Sequence, residues 1–225
     1  MKRQREESKL KNGCKVEIKR AFRSGTMKIA ILLGFLLSCW HVIDTYGQWK
    51  EYWIIRERYT SPLFSMPSLY TKLMGMNGNQ IQSVLFHNLI PMFAALPFSV
   101  SYWTDQKSGY QKNIYTREKK GHYFLGKLTA VFLSGGTVVI VPVVTDFILL
   151  STFLPASNPD SCVVNGCLAA FCNWQTIFYQ EPFLYVLIYL IIYFVGGGIL
   201  ALVALATSKW IKKSLIAFLS AFFLC

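Results

Sequence analysis

Charge is what this sequence has least of. Only 15% of its 225 residues are charged, and the acids are the scarcer half, 11 against 23 Lys and Arg. An ordinary soluble domain carries about a quarter charged residues, so that class is excluded. Histidine is scarcer still, with 3. His41, His87 and His122 are far apart, so no metal-ligand cluster follows. There is no HExxH, no nucleophile elbow and no nucleophile–base pair. The chain is therefore expected to have no catalytic residue, no metal and no cofactor of its own. The net charge of +12 sits in short patches beside apolar runs, without a basic-aromatic groove pattern. Nucleic acid is not an expected partner.

Apolar residues fill the space that charge leaves. They make up 53% of the chain, and mean hydropathy is +0.37. A membrane-crossing helix needs about 20 mostly apolar residues. Four runs qualify, at 27–47, 81–103, 128–154 and 182–207. A fifth, 214–225, is too short to cross, so a continuation beyond Cys225 is expected. The predicted fold is all-α: one polytopic membrane helix bundle with at least four full spans and an incomplete fifth. Lys and Arg placement gives its orientation. The N-terminal segment through Lys28 holds ten of them, the 104–127 connector six and the 155–181 connector none. The N-terminus, 104–127 and 208–213 are expected to be cytoplasmic, and 48–80 and 155–181 to face outward. Within the N-terminal segment, Leu10, Cys14, Ile18 and Phe22 recur every four residues among Lys15, Lys19, Arg20 and Arg23. That pattern predicts an amphipathic helix over 9–24 lying on the membrane lipids of the inner leaflet.

Residues 121–127 place Gly121, Gly126 and Lys127 at the spacing of a phosphate-binding loop. Such a loop needs Ser or Thr next, and it lies between a strand and a helix. Here Leu128 follows, the intervening residues are bulky, and an apolar run comes directly after. The spacing is read as chance. The same stretch predicts a short cytoplasmic helix over 108–121. Ser108 and Gln111 would form its capping box, Gly121 would end it, and Tyr110, Ile114 and Arg117 would share one face. At membrane depth the candidate polar site is His87, Asn88 and Asp146. Ser134, Gly135 and Gly136, with Gly196, Gly197 and Gly198, are expected to let helices approach closely. Two of Cys162, Cys167 and Cys172, in the outward 155–181 connector, could form one disulfide.

Over 89–144 an apolar, Pro-containing run leads to Asp105 and Gly109. Then come Thr116 and Arg117, Tyr123 and Lys127 before the third run, and Ser134, Gly135 and Gly136. This order of features resembles the permease subunits of the type-2 family of ATP-binding-cassette exporters, of the Gram-positive bacterial type. The resemblance implies six spans in the complete fold, an elbow helix before the first, and the bacterial cell membrane. It also implies a separate cytoplasmic ATPase subunit holding ATP and magnesium, and a second permease copy or paralogue. Asp105, Gly109, Tyr110, Ile114, Arg117 and Glu118 would be the surface coupled to that ATPase, with Tyr123 and Lys127 as interface anchors. The cargo would be a peptide, drug or other amphiphile. The competing class is a stand-alone membrane immunity protein that binds a bacteriocin without transport.

Overall fold

The computed structural model describes residues 2–58, 67–76, 80–98, 101–116, 120–159 and 174–208. The elements among them are all helical: α1 (Lys2–Arg23), α2 (Gly25–Arg58), α3 (Leu69–Lys72), α4 (Ile81–Ala95), α5 (Ser101–Lys107), α6 (Tyr110–Tyr115), α7 (Lys120–Leu150), α8 (Gln175–Gln180) and α9 (Pro182–Ser208). The incomplete fifth run, Arg117, Glu118, Cys162, Cys167 and Cys172 lie outside the described residues.

Three helices, α2, α7 and α9, are long and apolar enough to cross a membrane. Their 34, 31 and 27 residues reach about 51, 46 and 40 Å, against a hydrocarbon core of about 30 Å. Helix α2 runs well past the apolar stretch 27–47. Side-chain pairs three and four residues apart support its charged end. Lys50 lies over the Tyr46 ring, Arg56 over Trp53, and Trp49 meets Trp53 edge-on.

The run at 81–103 is not one helix among the described residues. Helix α4 stops at Ala95, and α5 starts at Ser101. Pro97 disfavours the helical conformation at Leu96 and brings no N–H of its own. Its carbonyl is instead taken by the Thr26 hydroxyl at 2.7 Å. Fifteen residues of α4 reach only about 22 Å. Three of the four expected runs thus form a single helix of crossing length, and the fourth is a short apolar helix.

Contacts divide the chain into two compact units. One comprises Met1–Leu33, Leu89–Ile140 and Tyr193–Cys225; the other comprises Gly34–Asn88 and Val141–Ile192. In the first, α4, α7 and α9 pack through small residues. A methyl group built on Gly135 would lie 2.4 Å from Ala201 Cβ and 3.1 Å from the carbonyl oxygens of Ala94 and Gly197. Ala95 and Ala204 are buried together beside this crossing.

In the second unit Leu69, Leu150 and Leu154 form a buried cluster, with Val42, Trp49, Phe147 and Phe153 against it. Helices α2 and α7 touch where Gly34 faces the Pro142 ring. The Ser38 hydroxyl donates to the Pro142 carbonyl at 2.7 Å. Ser38→Ala is expected to cost about 1 kcal/mol. The cost stays small because the Thr145 hydroxyl, which also touches Ser38, keeps its bond to Pro142. Thermal unfolding of the detergent-solubilised chain measures it.

Candidate functional site

Among the described residues two buried polar sites stand out, one in each unit. The first centres on Asp105 of α5, whose side chain is 2% exposed. Arg20 of α1 donates to its Oδ1 at 2.7 Å. The Tyr123 hydroxyl of α7 donates to Oδ2 at 2.8 Å, and the Lys127 ammonium donates to the same oxygen. Glu17 completes the set, 2.7 Å from Arg20 and 3.5 Å from Lys127. Two cations face two carboxylates, so the buried cluster is neutral overall. That balance is what allows Lys127 to be fully buried. Arg20 also lies over the Tyr110 ring, 4.2 Å from its centroid, which joins α6 to the set.

Burial alone would raise the Asp105 carboxyl pKa. The hydrogen bonds from Arg20 and Lys127, the charge of Lys127 and the Tyr123 hydroxyl outweigh it, and hold Asp105 below its ordinary value. Burial works against the Arg20 charge, but Asp105 and Glu17 win and raise its pKa. Burial also pushes the Tyr110 phenol up.

Local geometry explains how α5 and α6 present these groups. The cap of α6 is Gly109, in the left-handed region at φ 74°, with no side-chain bond. The expected capping box of Ser108 and Gln111 does not form. The Ser108 hydroxyl donates back to the Asp105 carbonyl instead, and glycine alone makes the left-handed turn cheaply. Gly121 does not end α6 either; it stands in the first turn of α7, and α6 is closed at Thr116.

Of the expected coupling residues, Gly109, Tyr110 and Ile114 are half-exposed on or beside α6. The Asp105 carboxylate points into the charged cluster. Tyr123 and Lys127 meet it there, both buried. The phosphate-loop spacing at 121–127 lies in the helical backbone of α7. Gly126 serves close packing: a methyl group on it would lie 3.4 Å from the Cys14 backbone of α1.

The second site is Asp146 of α7. Its Oδ1 lies 2.7 Å from His41 Nδ1 of α2, and its Oδ2 accepts the Met74 backbone N–H at 2.8 Å. Both ionisable side chains are fully buried. The other two members of the expected intramembrane group turn elsewhere. His87 and Asn88 bond carbonyls one turn back on α4, those of Ser83 and Val84. Among the described residues no cluster of three His, Cys, Asp or Glu is arranged to hold a metal.

Sequence reasoning missed Arg20 and Glu17 as partners of Asp105, and His41 as the partner of Asp146. One signal was available. Asp146 is the lone charged residue of 128–154 and His41 an ionisable group in another apolar run; isolated ionisable groups at membrane depth tend to pair. Compared with family models, curated proteins and solved structures, the chain matches none of them.

Proposed function

We propose that this chain is the membrane-spanning permease subunit of an ATP-driven exporter, with its N-terminus in the cytoplasm of a bacterial cell. The observation that carries this reading is the Asp105 cluster. It fastens α1, α5 and α7 to one another through buried charge-assisted bonds, which are about twice as strong as neutral ones. Such a fastening is what force transmission needs. A push on α6 reaches α7, a helix of crossing length, without being lost in a floppy connector.

In this reading the run 81–103 is the second of the spans, bent at its prolines, and six spans make up the complete subunit. Helix α1 lies at the inner interface as the elbow. Helix α6 docks on a separate ATPase subunit, which binds ATP and magnesium and does the hydrolysis. Lys112 and Asn113 on α6 and Thr116 at its end are exposed, and Arg117 and Glu118 follow them in the sequence. ATP-driven closure of two ATPase subunits moves the docked helices of two permease chains and shifts their spans between packings. A peptide, drug or other amphiphile leaves outward.

Co-purification tests this. Tagged chain extracted in mild detergent is expected to bring down an ATPase subunit from its own host. Arg117→Glu is expected to cut the recovered ATPase about tenfold, the effect of losing about 1.4 kcal/mol of binding, because it reverses a charge on the proposed docking surface. If no ATPase is recovered while cells stay protected from a membrane-active peptide, the exporter reading fails. Immunity by binding alone then takes its place.

A further inference from the structure

The pair of His41 and Asp146 plays no part in that coupling, and its geometry stands whether or not the chain transports anything. His41 Nδ1 and Asp146 Oδ1, 2.7 Å apart, share a hydrogen bond and hence one proton. That proton has two resting places. It sits on the carboxyl, donated to a neutral ring, or on the ring, donated to a carboxylate. With a second ring proton on Nε2 the pair is neutral either way. Removing one proton leaves a carboxylate that keeps the His41 Nδ1–H and the Met74 N–H as donors but is out of reach of water.

Among the described residues, His41 and the Met74 N–H are the groups that offset that charge. On α2, Asp44 is exposed and acts on Lys72. On α3, Lys72 donates to Gln48. On α4, His87 bonds the Ser83 carbonyl. Asp146 is the lone charged residue of 128–150, Glu181 beside α9 is exposed, and the groups acting on Asp146 reduce to His41 and the Met74 amide.

Two further features make the pair a site. His41 Nε2 is buried without a hydrogen-bond partner among the described residues. So are Gln80 Oε1, Gln82 Oε1 and Ser83 Oγ in the same unit, and Gln80 is tied to Thr45, one turn from His41. Unsatisfied buried polar atoms of this kind are where an entering water binds. Asp146 also holds a buried turn. Asp146 accepts from Met74 N, and Leu73 and Met74 are both fully buried. The turn is closed by Met76 N donating to the Leu73 carbonyl at 3.0 Å, with Gly75 at φ 99°.

We propose that His41 and Asp146 form a proton-binding site, and that loss of its proton releases the turn at 73–76 from α7. In the step, the shared proton passes to a water molecule, and its bonding electron pair stays on the carboxylate or the ring nitrogen. The charge left on Asp146 draws water, and water reaches it when Leu73 and Met74 lift away.

Hydrogen exchange of the 69–80 segment tests this, on the full chain in lipid nanodiscs and corrected at each pH for intrinsic exchange. Protection of the Met74 amide is expected to be flat at low pH, then to fall about tenfold per pH unit above the release point, the slope for one proton. Asp146→Asn keeps both bonds, with Nδ2 donating to His41 Nδ1 and Oδ1 accepting from Met74 N, but has no proton to lose. Its protection is expected to be flat throughout. A second reporter is the ¹⁵N signal of the His41 ring, identified by its absence in His41→Gln. It is expected to change at the pH where the turn opens. Flat wild-type protection overturns the proposal. So does a sloping Asp146→Asn, or a His41 ring that stays constant while the turn opens. Should Asp146→Asn fail to fold, the wild-type slope and the ring signal decide between them.

Discussion

Asp105→Ala is expected to destabilise the chain by about 3–5 kcal/mol, the cost of breaking a buried ion pair by removing one partner. Lys127 would be left fully buried with the more distant Glu17 carboxylate at 3.5 Å, and Tyr123 would lose the oxygen it donates to. Arg20 is half-exposed and can turn to water, so it adds little. The double variant Asp105→Ala with Lys127→Met is expected to recover much of the loss, because the charges leave together. Equilibrium unfolding of the four members of this cycle measures the coupling. A double variant as unstable as the sum of the singles would show that the two groups act independently.

The same carboxylate sets an acid limit. The folded pKa of Asp105 lies below its ordinary value. Its contribution is therefore fully present above the ordinary carboxylate range, and is lost as pH falls toward the depressed folded value. Unfolding midpoints followed from neutral to acidic pH are expected to drop in the wild type and to drop less in Asp105→Asn.

Gly135→Leu is the second large effect, at about 3 kcal/mol for forcing methylenes into a packed crossing. The new Cβ alone would meet Ala201 Cβ at 2.4 Å and two carbonyl oxygens at 3.1 Å. A flexible side chain could step aside; backbone carbonyls and an alanine on a neighbouring helix cannot. Helices α7 and α9 must separate, and the loss extends along the whole contact. Gly196→Leu is the control. A methyl group there meets nothing within 4 Å, so near-wild-type stability is expected. Equal melting temperatures for the two variants would remove the close crossing as the explanation.

Helices α2, α7 and α9 were legible because apolar runs of that length leave few alternatives. The end of α2 was not. It depends on Tyr46, Trp49 and Trp53 pairing with one another and with Lys50 and Arg56, and hydropathy does not record such pairs. The break before α5 was half-written in Pro91 and Pro97, of which Pro91 stays inside α4. Tyr123 and Lys127 were singled out as anchors of the 104–127 connector. Their partner Asp105 lies only 18 and 22 residues away. Arg20 comes from 85 residues away, and sequence distance of that size carries no contact information. Asp146 stood out as a charge in an apolar run. Which helix it would meet depends on packing, so His41 could not be told apart from His87 and Asn88.

The separation of Arg20 from Asp105 has a consequence for biosynthesis. Chains grow at about 5–20 residues per second. Glu17 leaves the ribosome just ahead of Arg20, but Asp105 follows only after α2 is complete. Through those seconds Glu17 is the one carboxylate of the cluster that Arg20 can meet. Once α5 and α7 arrive, the Arg20 charge is folded into a neutral cluster. One side chain thus changes company: a neighbour one turn away on the growing chain, then a buried cluster in the finished one.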